Sequence, residues 1–379
     1  MSERITLGKV YDQLRASDHI GMPKNDTLPS FQHNEDNSPW YVQSLMGCGG
    51  WLATLFSFGI IGSFISLFLA DLSDEQAGSV VWVAGILLAI STTVILRRNP
   101  NMGVFMQQVN LTAHLTGHLF LIVGFTLASN LYNTEIGVTI LTLYAALVQV
   151  IFIWLYPNAI YRFLGMIAIT ISLWINLPLH QIALISTIMI GAWMALAIVI
   201  WLDLLPERLQ IQQFELWRSL GYGLVVSVFG LIIYEITNRY MPAEDALRDT
   251  TILTTIVLFG CLIWVEAQLL SAYDINLTAA FALMVFGISA LVALPTITTP
   301  GIIGGVIVIL LAFRRRNWIL LGIAYLYLAG FIVYYYFWLD VTLLMKSVIL
   351  IITGLLLLGG RLLWQRYVLE SIPAEGMSA

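Results

Sequence analysis

Long apolar runs alternate with short polar connections along most of the chain. A membrane-spanning α-helix needs about 20 consecutive, mostly apolar residues, and twelve runs approach or exceed that length. The shortest is 299–313, where Pro300 fits the first helical position with Thr299 as its cap. The pattern therefore predicts an all-α, polytopic transmembrane bundle. The predicted spans are 43–70, 77–96, 104–129, 136–156, 159–177, 181–202, 219–237, 251–272, 275–294, 299–313, 317–338 and 342–364.

Composition supports the same class of protein. Of the 379 residues 59% are hydrophobic and only 10% are charged, whereas soluble domains average about 45–50% apolar and about 25% charged residues. So few charges could not cover a soluble fold of this size, and a disordered chain or a coiled coil is excluded for the same reason. The net charge of −5 and the lack of a broad basic patch argue against a nucleic-acid partner.

The basic residues predict the orientation in the membrane. When the N-terminus is placed in the cytoplasm and twelve helices are threaded, 14 of the 17 Lys and Arg residues fall on the cytoplasmic side. Arg239 and Arg248 fall on the far side, and Lys346 falls within the last span. Cytoplasmic loops carry an excess of basic residues, so both termini are predicted to be cytoplasmic.

Little of the chain is predicted to lie outside the bilayer. Residues 1–40 form a cytoplasmic segment with a short amphipathic helix and a polar linker, 41–366 form the transmembrane domain, and 367–379 form a cytoplasmic tail. The predicted surroundings are therefore mainly the lipid bilayer.

The third predicted span is the most polar one. Gln107, Asn110, His114 and His118 follow one face of it at three- and four-residue spacing. Three interpretations remain open: hydrogen bonds that hold the bundle together, a polar cavity or proton path, or a shared metal. No Cys or carboxylate lies nearby in sequence to complete a metal site, so we predict neither a metal nor a cofactor.

Carboxylates at the ends of spans are further candidates, because ionisable groups inside a bilayer are costly. Glu266 lies about six residues from the cytoplasmic end of the eighth span, where it either couples transport to protons or pairs with an arginine. Glu235 lies equally near the far end of the seventh span, where we expect contact with solvent.

Lys346 and Asp340 flank the start of the last span. Asp340 is well placed to cap that helix. Lys346 either extends its ammonium group to the far interface or pairs with a carboxylate of another helix, and the leading candidates are Glu235 and then Asp340.

Three passages together resemble a known family of bacterial membrane proteins, that of domain of unknown function 4401. They are PWYVQSLMGCGGWLATLF at 39–56, the aromatic-rich run at 300–336 and DVTLLMKSVILIITGLLLL at 340–358. In that family a short cytoplasmic helix precedes an aromatic entry to the first span, and an LLxKS element opens the last. The resemblance implies a multi-pass protein of the bacterial inner membrane. Members are often encoded beside another membrane protein with a Gly-Asp-Tyr motif, which implies a partner, but the family brings no activity and no catalytic residues.

Three functions compete on these observations. An accessory or scaffold subunit that assembles with another membrane protein is the leading hypothesis, because the loops are small and buried charges are few. The alternative is a transporter or lipid-handling protein whose polar site lies on the third span. Only the histidine pair favours an intramembrane enzyme, which is the least favoured of the three.

Overall fold

The computed structural model describes residues 40–175, 183–204, 211–238, 246–272, 280–294 and 299–338, with isolated positions 296–297, 347, 351, 354–355 and 358–359. Regular secondary structure in these residues is entirely helical. A short 3₁₀ turn follows the third helix at Leu131–Asn133, and a π turn follows the sixth at Ile200–Leu204. The α-helices are α1 Trp40–Leu69, α2 Asp74–Arg98, α3 Val104–Ser129, α4 Glu135–Leu155, α5 Ala159–Trp174, α6 Ala183–Val199, α7 Ile211–Asn238, α8 Ala246–Ala272, α9 Ala280–Ala293, α10 Pro300–Arg315 and α11 Trp318–Trp338.

Each of the first eleven predicted spans overlaps one of these helices. Seven of the described helices, α1 to α4 and α6 to α8, are long and apolar enough to cross a membrane. Shorter apolar helices occur in α5, α9 and α11. Most of the twelfth predicted span, 342–364, lies outside the described residues, so the total of twelve stays a prediction.

Local sequence signals set several helix ends. Ser73 caps α2, because its hydroxyl accepts from the Gln76 amide while the Gln76 side chain accepts from the Ser73 amide. Acidic residues occupy the first turn of α2 and basic residues its last turn, which matches the helix dipole. Pro300 begins α10 after Thr299, as predicted, but the Thr299 hydroxyl donates to the Thr296 carbonyl, 3.2 Å away, and does not cap the helix.

Helices α2 and α3 form a closely packed antiparallel pair. Gly78 and Gly85 of α2 are seven residues apart, as are Gly117 and Gly124 of α3. A Cβ atom added to Gly85 would lie 2.6 Å from the Leu121 amide nitrogen, and one added to Gly124 would lie 2.3 Å from the Trp82 amide nitrogen. Only glycine lets the two backbones approach this closely.

The buried apolar residues form one large cluster and two smaller ones. The large cluster lies mainly between α6, α7, α8, α10 and α11. The smaller clusters join α2, α3 and α4, with further contributions from α5 and α7. Helices α5 and α7 pack on each other and thereby connect the two parts of the bundle.

A candidate intramembrane site of histidines and tyrosines

Helix α3 carries its polar residues into the interior of the bundle. Asn110, His114 and His118 all point into protein, and the exposed fractions of the two histidines are 0% and 3%. Imidazoles facing lipid would leave polar nitrogens unpaired in hydrocarbon. The close α2–α3 packing places α2 beside this face, and the ends of α4 and α5 cover it.

His114 is held by α2 and by the connection between α4 and α5. Its Nδ1 lies 2.8 Å from the Thr92 hydroxyl oxygen, and its ring stacks on the Tyr156 ring at a centroid distance of 3.8 Å. The Thr92 hydroxyl also lies 2.8 Å from the Leu88 carbonyl. The other ring nitrogen of His114, Nε2, is buried without a hydrogen-bond partner in the described part of the chain.

His118 lies one helical turn further along α3. Its Nε2 lies 3.2 Å from the Tyr161 hydroxyl oxygen, and that hydroxyl donates to Gln149 Oε1 at 2.8 Å. The same oxygen lies 3.4 Å from His118 Nδ1, so it sits beside the imidazole ring and not along one of its N–H bonds. The His114 and His118 ring centroids are 4.7 Å apart.

Asn110 joins the same network on the other side of His114. Its Oδ1 accepts from the Tyr156 hydroxyl at 2.7 Å, and its Nδ2 donates to the Thr92 carbonyl at 3.2 Å. The cluster therefore contains two imidazoles, two phenols, two amides and one hydroxyl. We call these seven residues the His–Tyr cluster: Thr92, Asn110, His114, His118, Gln149, Tyr156 and Tyr161.

The connection between α4 and α5 fixes both tyrosines. Asn158 caps α5, because its Oδ1 accepts from the Tyr161 amide at 3.0 Å. Two arginines bind carbonyl groups in the last turn of α4, which no helical amide satisfies. Arg97 donates to the Leu155 carbonyl at 2.9 Å, and the buried Arg162 donates to the Ile153 carbonyl at 3.2 Å.

Two of the predicted polar candidates lie apart from this cluster. Gln107 donates to the Met102 carbonyl at 2.8 Å, just before α3 begins. Glu266 lies between α8 and α9, where its hydrogen-bond partner is Ser289. Among the described residues its partner is thus a serine of α9, and no arginine there pairs with it.

Glu235 is buried, with an exposed fraction of 1%, and the expectation of solvent contact is wrong. Its two carboxylate oxygens lie 2.9 and 3.1 Å from the Thr254 hydroxyl, which lies 2.8 Å from the Thr187 hydroxyl. Helices α6 and α8 therefore cover this end of α7. Lys346 and Asp340 lie outside the described residues, so their pairing with Glu235 stays a prediction.

Four members of the His–Tyr cluster were not predicted from the sequence: Thr92, Gln149, Tyr156 and Tyr161. A signal was present, since Thr92 continues the seven-residue spacing of Gly78 and Gly85, and Asn110 continues that of Gly117 and Gly124. Residues at such spacing face the same partner helix.

The side chains of the cluster are of types that can form hydrogen bonds and exchange protons. The described residues contain no group of three or more His, Cys, Asp or Glu side chains placed to hold a metal. Imidazoles accept a proton on one nitrogen and release one from the other. In the buried pair of His114 and His118, the Nε2 of His114 has no hydrogen-bond partner among the described residues. This nitrogen is a position where an additional proton or a hydrogen-bonding ligand can bind.

The succession of long apolar helices is that of a multi-pass membrane protein. The chain matches the model of the family described as domain of unknown function (DUF4401) over residues 39–367, and it belongs to that family. Neither a curated protein nor a solved structure matches the chain.

Proposed function

We propose that the protein is a transporter-type membrane protein in which the His–Tyr cluster is the proton-accepting site. The observation that carries the proposal is the fully buried ring of His114, whose Nε2 has no hydrogen-bond partner among the described residues. A group used only to hold helices together gains by pairing both nitrogens, because a buried polar atom without a partner costs about 1–3 kcal/mol. Ionisable residues inside membrane helices commonly mark proton relays or solute paths.

The proposal includes a topology of twelve spans with both termini in the cytoplasm of a bacterium and the bundle in its inner membrane. The distribution of Lys and Arg and the family resemblance support it. In this orientation α3 enters from the cytoplasm at Val104. At about 1.5 Å per residue, Asn110, His114 and His118 lie roughly 9, 15 and 21 Å along the helix.

The cluster then forms a chain of groups able to carry protons, which leads into the membrane from the cytoplasmic end of α3. Asn110 and Tyr156 lie first, His114 follows, and His118 with Tyr161 lies deepest. A proton that reaches His114 can be held at Nε2. Transfer to His118 needs a ring rotation or a water molecule, because the ring centroids are 4.7 Å apart.

The test is proton flux into proteoliposomes. Purified protein is reconstituted with an internal pH-sensitive dye, and a potassium diffusion potential set with valinomycin drives proton entry. We expect the His118→Gln variant to lose at least 90% of the protein-dependent flux. Tyr144→Phe is the matched control, since Tyr144 is a phenol on α4 bonded to Trp82 outside the cluster. Equal flux in wild type and His118→Gln, at equal reconstitution, contradicts the proposal.

A second candidate function is that of an accessory subunit, and the position of α1 favours it. This helix packs mainly on α3, where Trp51 Nε1 donates to Gln108 Oε1 at 2.8 Å. Its other sides are open: Leu45 and Phe56 are each 70% exposed. An open apolar face on a spanning helix suits either lipid or a helix of a partner.

Photo-crosslinking in cells separates lipid from a protein partner. A photoreactive amino acid replaces Phe56 on α1, and a control replaces the exposed Leu147 on α4. A discrete protein adduct at position 56, absent at 147, supports the subunit function. Only lipid adducts at both positions argue against it.

A further inference from the structure

Glu266 is a second buried ionisable group, remote from the His–Tyr cluster in the fold. It lies on α8 with an exposed fraction of 6%, against Ser289 of α9. The Ser289 hydroxyl donates to Oε1. The other oxygen, Oε2, is buried and has no hydrogen-bond partner in the described part of the chain.

No described cation balances this carboxyl group. Neither α6 nor α9 contains an ionisable side chain over its described length. The basic residues of α10 are Arg314 and Arg315, and Arg315 donates to carbonyls of the π turn after α6. Helix α7 contains five ionisable residues, none of which hydrogen-bonds or ion-pairs with Glu266 in the described part of the chain: Glu215, Arg218, Tyr222, Tyr234 and Glu235. In α8 itself Cys261 makes no such contact either, and Arg248 and Asp249 lie 18 and 17 residues before Glu266, near the opposite end of the helix.

The lack of a described partner for Glu266 Oε2 indicates whether the side chain is a carboxylate or a carboxylic acid. An ionised carboxylate has about four acceptor sites to satisfy, and one donor from the described residues reaches this one. Burying a charge without pairing is far more costly than burying a neutral polar group. A carboxylic acid leaves only one uncharged oxygen without a partner.

We propose that Glu266 is a proton-binding site, a carboxylic acid at the α8–α9 interface that exchanges its proton with the cytoplasmic side. It lies six residues before the end of α8 at Ala272, which is about 9 Å along the helix. The site uses helices that contribute nothing to the His–Tyr cluster. Proton binding at Glu266 is therefore tested separately from the His–Tyr cluster, and only the assignment of the cytoplasmic side rests on the topology in the proposed function.

Dicyclohexylcarbodiimide tests this proposal directly. This hydrophobic reagent adds a protonated carboxyl group across its C=N bond and forms an N-acylurea with no leaving group, so the protein gains the mass of one reagent molecule. The full chain in detergent is labelled, and the site is located by peptide mass spectrometry. We expect one adduct at Glu266 at pH 7, and we expect its yield to fall as the pH is raised.

Three variants and one competitor make the result decisive. Glu266→Gln must abolish the adduct, while Glu135→Gln, at an exposed carboxylate at the start of α4, must leave it unchanged. Ser289→Ala removes the one donor that the described residues supply to the carboxylate, so its adduct must persist to higher pH than that of wild type. The proposal is overturned if Glu266 is unlabelled in the folded protein, if its labelling does not depend on pH, or if Na⁺ at constant pH protects it, which identifies a metal-cation site.

Discussion

The close packing of α2 on α3 predicts that one methyl group at Gly85 disturbs the bundle. In Gly85→Ala the new Cβ would lie 2.6 Å from the Leu121 amide nitrogen and 2.9 Å from the Gly117 carbonyl oxygen. Ordinary contact begins at 3.4 Å. The two backbones must therefore separate by about 0.8 Å, since neither neighbouring atom belongs to a flexible side chain.

The energetic cost follows from that separation. A gap of about 0.5–1 Å forfeits a quarter to a half of the dispersion energy of each contact, and overpacking typically costs about 1–3 kcal/mol. If Thr92 moves with α2, its hydroxyl moves from 2.8 Å to beyond hydrogen-bond distance of His114 Nδ1. We therefore expect this variant to weaken both the fold and the His–Tyr cluster.

The matched control is Gly59→Ala on α1, because a Cβ there meets nothing within 4 Å. Both changes raise helix propensity by about 1 kcal/mol, so their difference isolates the packing cost. The assay is thermal unfolding in detergent with a thiol-reactive dye. In a Cys48→Ser background, the buried Cys261 alone reports unfolding.

Since 1 kcal/mol shifts the Tm by about 2–4 °C in domains of 150–250 residues, we expect Gly85→Ala to melt several degrees below Gly59→Ala. Equal melting temperatures would refute the close contact of the two backbones.

Two further predictions concern topology and a charge pair. Reporter fusions after residues 98, 210 and 316 should report the cytoplasm and those after 74, 245 and 340 the far side; one reversed fusion contradicts the topology. If the two residues pair, Lys346→Gln and Glu235→Gln should each lower thermal stability, because removing one partner leaves the charge of the other without its pair. The double variant should be more stable than the sum of the two losses implies, whereas simple additivity in that double-mutant cycle means the residues are not paired.

The positions of the helices were predictable because a span needs a continuous apolar run whatever it packs against. Which face of each helix is buried was not predictable, since both lipid-facing and buried positions in a membrane helix are apolar. Leu111 and Leu119 of α3 illustrate this: the first is fully buried and the second is 57% exposed. Hydropathy alone does not distinguish them.

The candidate site was predictable only in part for the same reason. The spacing of Asn110, His114 and His118 shows that they share a face, and this could be read from the sequence. Their partners Tyr156 and Tyr161 resemble the tyrosines that line membrane interfaces. Only the fold shows that the α4–α5 connection directs both rings inward onto the histidines.

Burial near a helix end was the least predictable feature. Glu235 lies close to the end of α7, and its distance from that end alone suggests that its side chain contacts solvent. Thr254 of α8 and Thr187 of α6 cover it from two sides. That arrangement depends on which helices are neighbours, which hydropathy and spacing do not specify.

The central claim, that the His–Tyr cluster takes up protons, is tested most directly by the current that follows a pH jump. Proteoliposomes are adsorbed to a solid-supported membrane, and the outer pH is lowered rapidly. We predict a transient inward charge displacement in wild type, at least tenfold smaller in His114→Gln and unchanged in Tyr144→Phe. A displacement of the same size in His114→Gln and wild type, in protein of equal thermal stability, would contradict the account.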